Sequence, residues 1–328
     1  MYIEQAFKSK NNAWRYIIGT IVTIVALFMG QLPLAIAVIF KLGVTADFGT
    51  VDEATMMSAL DSNLTFFFLL LSFAIGLGAL LFLVKNLHRQ SFTELTTSRK
   101  NIDWGRFWFS FGLIVILNVT LILVDFFFIN PQNYTINFNL VPFLILAAIA
   151  IVMVPLQTSF EEYFFRGYLM QGIGIKTGYR WIPLVITSVV FGGLHYWNPE
   201  VSQMGDLVMV SYIGTGFMLG IMTLMDEGLE LPLGFHAANN LVAALLVTAE
   251  WTAFNTESIL RDVSSPVAGW DIWVSVLVIY PLILLIYAKK YHWKNWSNRL
   301  FGKVEKPAII ASNSVVDIED LSEINGDY

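Results

Sequence analysis

Cysteine is absent from the 328 residues of this chain. The absence excludes disulfide bonds, thiolate nucleophiles and cysteine metal ligands. Charged residues are also scarce, since they make up 13% of the sequence against about 25% in a soluble globular domain. Hydrophobic residues make up 56%. This composition excludes an ordinary soluble protein, and the arrangement of the apolar residues then decides the class.

The apolar residues lie in long runs that carry little or no charge. A helix of about 20 such residues crosses the hydrocarbon core of a bilayer, which is roughly 30 Å thick. The runs therefore predict an all-α polytopic membrane protein with about eight transmembrane helices and the lipid bilayer as its surroundings. The predicted spans lie near 14–40, 64–84, 107–129, 141–160, 181–198, 207–225, 231–249 and 272–288.

The distribution of charge predicts the orientation and the domain organisation. All but two of the 19 Lys and Arg residues fall on one side of the predicted membrane, and the exceptions are Lys41 and Arg261. The positive-inside rule makes that side cytoplasmic, with both termini there. We expect one membrane-embedded helical domain over residues 1–306. Residues 307–328 hold five acids and no base, which predicts a disordered acidic tail and gives no indication of a nucleic-acid partner.

Three charged residues interrupt the fourth apolar run. Glu161, Glu162 and Arg166 follow an uncharged stretch from Leu140 to Ser159, and charges at membrane depth usually serve a function. Glu162 and Arg166 have the i,i+4 spacing of a helical ion pair. Glu161 points about 100° away around the helix, so it is less accessible to this arginine. The pattern predicts a structural pair beside a carboxylate that is available for chemistry.

Two later apolar segments carry histidine, of which the whole chain has 4. His195 follows two glycines that permit close approach of another backbone. His236 and Asn240 have i,i+4 spacing, so both side chains lie on one face of their helix. An imidazole and a carboxamide on one face can both donate hydrogen bonds to a developing oxyanion. The sequence therefore predicts a polar site inside the bundle.

The depth of the site depends on where the fourth helix ends. No strong helix breaker follows Pro155 until Gly172 and Gly174, so we expect the helix to continue to about residue 171. Glu161 would then lie roughly 16 Å inside the membrane boundary. Counting along straight helices places His195 deeper than Glu161 and His236 shallower, so kinks or tilts must bring them level.

A desolvated carboxylate can act as a general base, and with water and oxyanion donors it can hydrolyse an amide bond. No GxSxG or SxxK pattern supplies an activated nucleophile. A zinc site made of Glu161, His195 and His236 is an alternative from the same residues, although the sequence has no HExxH motif.

The three motifs EExxxR, FxxxH and HxxxN occur in this order, in successive apolar segments. They are found at Glu161–Arg166, Phe191–His195 and His236–Asn240. The combination resembles the CAAX protease and bacteriocin-processing family of intramembrane proteases, also called CPBP or Abi. The similarity covers residues 140–249, which we interpret as the catalytic core.

The resemblance implies a glutamate-dependent intramembrane endopeptidase. Glu161 would activate the hydrolytic water with help from His195, whereas His236 and Asn240 would form the oxyanion hole. The ion pair at positions 162 and 166 would support the site. The resemblance also implies that no metal or cofactor is required, that the substrate is a membrane-associated or lipid-anchored peptide or protein, and that the location is a bacterial cytoplasmic membrane.

Two non-proteolytic alternatives remain. The same residues could form a buried polar network in a non-catalytic membrane scaffold or a bacteriocin-immunity-type protein. A transporter could use Asp125 and the glutamates as ion-pathway groups, but the spans show no inverted repeat and no paired broken helices. Loss of peptide cleavage on substitution of Glu161 would separate the protease from both.

Overall fold

The computed structural model describes residues 1–43, 59–252 and 255–306. A short 3-10 turn at Ile3–Lys8 precedes the helices. The first helices are α1 (Ala13–Met29), α2 (Leu32–Leu42), α3 (Ser62–Asn86), α4 (Phe92–Thr96), α5 (Trp104–Ile129) and α6 (Leu140–Thr177). The others are α7 (Trp181–Trp197), α8 (Pro199–Met204), α9 (Asp206–Asp226), α10 (Glu230–Leu246), α11 (Trp270–Lys290) and α12 (Trp296–Phe301). The predicted acidic tail at 307–328 lies outside the described residues.

The all-α polytopic membrane fold is confirmed, and helices occupy the regions of all eight predicted spans. Within the described residues, six helical stretches are long and apolar enough to cross a membrane, and the first of them joins α1 and α2. The fifth and seventh predicted spans correspond to α7 and α10, which are shorter. The count of eight crossings is therefore not confirmed.

One end of the bundle carries a small sheet that the apolar pattern does not predict. Its three strands are β1 (Tyr134–Ile136), β2 (Val247–Ala249) and β3 (Leu260–Asp262). The central strand β3 pairs antiparallel with β1 and parallel with β2. Because β2 directly follows α10, the sheet fixes where that helix ends. The fold class remains all-α.

Helix α6 lies at the centre of the bundle. It packs against α3 on one side and against α10 on the other, while α10 also packs on α5, and α7 on α9. Its first half exposes apolar side chains such as Leu140 and Val141, as expected of a lipid-facing surface. Its second half buries four aromatic side chains on all sides, Tyr163, Phe164, Phe165 and Tyr168. A helix that is apolar and buried all round is enclosed by protein, and the glutamates lie where this enclosure begins.

The prediction that the fourth helix continues past residue 160 is confirmed. Helix α6 runs without interruption to Thr177, beyond the expected end near residue 171. A π-helical turn at Tyr163–Leu169 lies inside it, immediately after Glu162. Such turns are frequent at functional sites.

Helices α7 and α9 cross at small residues. A Cβ atom added at Gly216 would lie 2.6 Å from the carbonyl oxygen of Ser188, and one added at Gly192 would lie 2.7 Å from the backbone nitrogen of Ile213. The glycines therefore set the distance between the two backbones, as the GxxxG spacing of Gly216 and Gly220 predicts.

The adjacent glycines 192 and 193 provide a matched test of this packing. Gly192→Ala should lower the free energy of unfolding by about 1–3 kcal/mol, because the new methyl group meets the backbone of α9. Gly193→Ala has open space around its Cβ and should be neutral or stabilising by up to about 1 kcal/mol through helix propensity. Thermal unfolding in detergent micelles measures both variants. Equal stability would show that α7 and α9 do not pack as described.

The structure explains the acidic loop at Asp226–Glu230, which interrupts an otherwise basic side of the protein. Arg99 lies 2.9 Å from Asp226 and 3.1 Å from Glu230. Arg106 also pairs with Asp226, and Trp293 donates a hydrogen bond of 3.0 Å to the same carboxylate. The acids therefore hold the 85–106 connection and the segment after α11 against the ends of α9 and α10.

Candidate active site

Both glutamates of the first motif are buried. Glu161 is 8% exposed and Glu162 is fully buried. They are adjacent on α6, so their side chains leave the helix in different directions. Each therefore has its own set of partners, and these partners distinguish the two carboxylates.

Glu162 forms the ion pair that the i,i+4 spacing predicts. Arg166 Nη1 lies 3.0 Å from Glu162 Oε1, and both side chains are fully buried. Arg166 Nη2 donates a hydrogen bond of 3.3 Å to the Gly216 carbonyl oxygen, and its guanidinium carbon lies 4.1 Å from the centre of the Phe191 ring. The arginine thus links α6 to both α7 and α9.

His236 of α10 contacts both glutamates. Its Nδ1 atom lies 2.8 Å from Glu162 Oε1, and its Nε2 atom lies 3.4 Å from Glu161 Oε2. An ionised carboxylate only accepts hydrogen bonds, so Nδ1 carries the hydrogen in the contact with Glu162. The Nε2 atom is then held facing Glu161.

The structure brings His236 level with Glu161, since His236 Nε2 lies 3.4 Å from Glu161 Oε2. Leu229 and Glu230, where α10 begins, are 0% and 1% exposed. Protein therefore covers the start of this helix.

Asn240 is connected to Glu161 through Gln157, a residue outside the three sequence motifs. Asn240 Nδ2 donates a hydrogen bond of 3.2 Å to Gln157 Oε1. Gln157 Nε2 in turn donates one of 2.7 Å to Glu161 Oε1. The i,i+4 spacing of Gln157 and Glu161 on one helix is the signal that could have identified it.

His195 is not brought together with the other predicted site residues. Its Nδ1 atom donates to the Phe191 carbonyl oxygen at 2.8 Å, and its ring stacks on Tyr212 with 4.5 Å between centroids. Within the described ranges, no hydrogen bond or ion pair joins His195 to Glu161. The second motif approaches the site through the Phe191 ring, whose centroid is 6.1 Å from that of His236.

The zinc alternative requires Glu161, His195 and His236 to converge on one point. Across residues 1–43, 59–252 and 255–306, no group of three or more His, Asp or Glu side chains is arranged to hold a metal ion. The donor set of that alternative is not assembled in this arrangement. The contacts instead connect the two glutamates to imidazole, amide and guanidinium groups.

Comparison with known proteins finds a family that part of the chain resembles. Residues 139–242 match the family model described as type II CAAX prenyl endopeptidase Rce1-like. Over these residues the chain is similar to the Rce1-like family. The matched segment contains all three motifs, so the resemblance to CAAX proteases predicted from them is confirmed.

A bacterial relative extends the similarity beyond this core. The uncharacterized protein YyaK of Bacillus subtilis (strain 168) is 29% identical over 290 residues, which cover 86% of this chain and 95% of YyaK. No solved structure matches the chain. The similarity to YyaK therefore includes helices on both sides of the matched core.

Proposed function

We propose that this protein is an intramembrane endopeptidase in which Glu161 activates water to hydrolyse a peptide bond. One observation carries the proposal: Glu161 is a buried carboxylate held by Gln157 and His236. Among the described residues, the only Lys or Arg side chain paired with either glutamate is Arg166, and its ion pair is with Glu162. A carboxylate without a permanent counter-charge can accept and return a proton.

The proposed reaction follows from these contacts. Glu161 takes a proton from water as the water oxygen attacks the peptide carbonyl carbon. The carbonyl oxygen becomes an oxyanion, which accepts hydrogen bonds from His236 Nε2 and Asn240 Nδ2. The intermediate then collapses, the C–N bond breaks, and Glu161 returns its proton to the leaving amine.

Both proposed oxyanion donors, Asn240 and His236, can donate a second hydrogen bond in this geometry. Asn240 has two N–H groups, and only one is used by Gln157. For Nε2 of His236 to donate while Nδ1 also donates to Glu162, the imidazole must be doubly protonated at that moment. The carboxylate of Glu162, itself held by Arg166, would stabilise this imidazolium. The proposed role of Glu162 and Arg166 is thus to support His236.

The role of His195 in the proposal is limited by its position. Since Nδ1 donates to the Phe191 carbonyl, Nε2 of the neutral ring carries a lone pair that can accept a hydrogen bond from water. His195 would orient the water from beyond the Phe191 ring. The variant His195→Ala should therefore reduce cleavage less than substitution of Glu161.

The proposed substrate is a membrane-associated or lipid-anchored peptide. Purified wild-type protein in liposomes would be incubated with quenched fluorescent reporters ending in a prenylated CAAX sequence, and with the same peptides lacking the prenyl group. Mass spectrometry would identify the bond that is cut. Cleavage unaffected by a chelator supports the proposal, whereas chelator-sensitive cleavage indicates the zinc mechanism. Intact, folded protein that cleaves no reporter would favour the scaffold.

The proposal also assigns residues 1–306 to one membrane-embedded domain, with 140–249 as its catalytic core and both termini at the cytoplasmic face of a bacterial membrane. The absence of cysteine provides a clean background for testing the orientation. Asn12→Cys and Ser297→Cys should be labelled by a membrane-impermeant maleimide only after the cells are opened. Ser265→Cys, at the opposite end, should be labelled in intact cells. The reverse pattern would contradict the assigned orientation.

A further inference from the structure

Four side-chain amides form a continuous chain that ends on Glu161. Asn118 of α5 donates to Asn239 at 3.1 Å, and Asn239 donates to Asn240 at 3.2 Å. Asn240 donates to Gln157 at 3.2 Å, and Gln157 donates to Glu161 at 2.7 Å. The chain of hydrogen bonds crosses from α5 through α10 to α6.

The carboxylate fixes the direction of the whole chain. An ionised Glu161 can only accept, so Gln157 must present its NH₂ group to it. The oxygen of Gln157 then faces Asn240, which must donate, and the same requirement passes to Asn239 and Asn118. The orientation of each amide therefore follows from the charge at one end, and all four observed bonds agree with it.

Of these four amides, Gln157 alone is buried. It is 4% exposed, whereas Asn118 and Asn240 are partly exposed and Asn239 is exposed. A buried amide without partners is costly, but here both ends of Gln157 are bonded. One end holds the carboxylate of the proposed base and the other holds the proposed oxyanion donor.

We infer that Gln157 is a positioning residue, which sets the distance and angle between Glu161 and Asn240. This inference rests on the proposed hydrolytic function. Attack on the carbonyl carbon and stabilisation of its oxygen must occur at neighbouring atoms of one substrate. A single side chain bonded to both groups holds Glu161 of α6 and Asn240 of α10 in a fixed relative position.

The test compares two buried glutamines of the same helix. Gln157→Met keeps the length of the side chain and removes both hydrogen bonds. Gln171→Met is the matched control, because Gln171 is 1% exposed and hydrogen-bonded to Gln90 and to the Glu94 carbonyl oxygen, away from the glutamates. With the prenylated CAAX reporter, Gln157→Met should lower kcat on the order of 10²-fold with little change in KM. Gln171→Met should change kcat less than threefold, even if it melts at a lower temperature.

A second readout needs no substrate. The infrared carboxylate band of Glu161 is identified as the band that disappears in Glu161→Gln. This band should shift and broaden in Gln157→Met, because the bond at 2.7 Å is lost, and should stay unchanged in Gln171→Met. If Gln157→Met does not fold, Gln157→Asn, one methylene shorter, takes its place with the same expected changes.

The two readouts separate the two ideas. A kcat for the Gln157 variant equal to that of the Gln171 variant, or an unchanged Glu161 band, overturns the positioning role. Failure of the wild type to cleave any reporter overturns the proposed function. The infrared comparison would then still decide whether Gln157 holds Glu161.

Discussion

Arg166→Met is expected to lower the free energy of unfolding by about 3–5 kcal/mol, because it leaves the carboxylate of Glu162 buried without its counter-charge. The same substitution removes the bond to the Gly216 carbonyl oxygen and the contact with the Phe191 ring. Helices α6, α7 and α9 would thus lose the side chain that contacts all three. Chemical unfolding followed by intrinsic fluorescence in detergent measures the loss.

A surface arginine provides the control for this prediction. Arg261 pairs with Glu250 at 3.2 Å, but the two side chains are 36% and 76% exposed. Arg261→Met should therefore cost less than about 1 kcal/mol. The double variant Glu162→Gln with Arg166→Met should recover part of the stability lost in Arg166→Met, because no unpaired charge remains. Similar losses for the two single arginine variants would mean that the 162–166 pair is not desolvated.

Asn240→Ala is expected to lower kcat of reporter cleavage about 10²- to 10³-fold, since it removes one of two oxyanion donors. Its KM should change little, because the oxyanion exists only in the transition state. Asn137→Ala is a suitable control, since Asn137 bonds the Ser258 carbonyl at the end of the bundle that carries the sheet. It should retain the wild-type rate.

The division between kcat and KM decides the role of Asn240. A raised KM with unchanged kcat would assign Asn240 to binding of the uncleaved peptide. Because Asn240 also bonds Gln157, its loss could disturb Glu161 as well. The infrared band of Glu161 in Asn240→Ala measures that indirect effect separately.

The sequence predicts most of the membrane architecture because uncharged runs and helix geometry are local properties. The contact between Glu162 and Arg166 follows from i,i+4 spacing in the same way. The shortness of α10 does not follow from local sequence. Its first residue, Glu230, is buried through pairing with Arg99, which lies more than a hundred positions away in the sequence. Hydropathy cannot detect such long-range compensation of charge.

The candidate site is predicted in its residue types more than in its contacts. His195 and His236 both lie in apolar segments, and in the sequence His236 is set apart by its i,i+4 spacing from Asn240. The structure separates them: His236 reaches both glutamates, while His195 is turned toward Tyr212 by the bond to its own helix. Gln157 is overlooked for the opposite reason, because an uncharged glutamine does not stand out from its run until its partners are known.

The most direct test of the proposed mechanism is the cleavage rate of Glu161→Gln in liposomes, measured beside the wild type on one reporter. Glutamine preserves the size of the side chain but cannot take a proton from water. The expected result is a loss of about 10²- to 10⁴-fold in kcat, with unchanged thermal stability and no effect of a chelator on the wild type. A Glu161→Gln variant that cleaves within tenfold of the wild-type rate would contradict the role of Glu161 as the base.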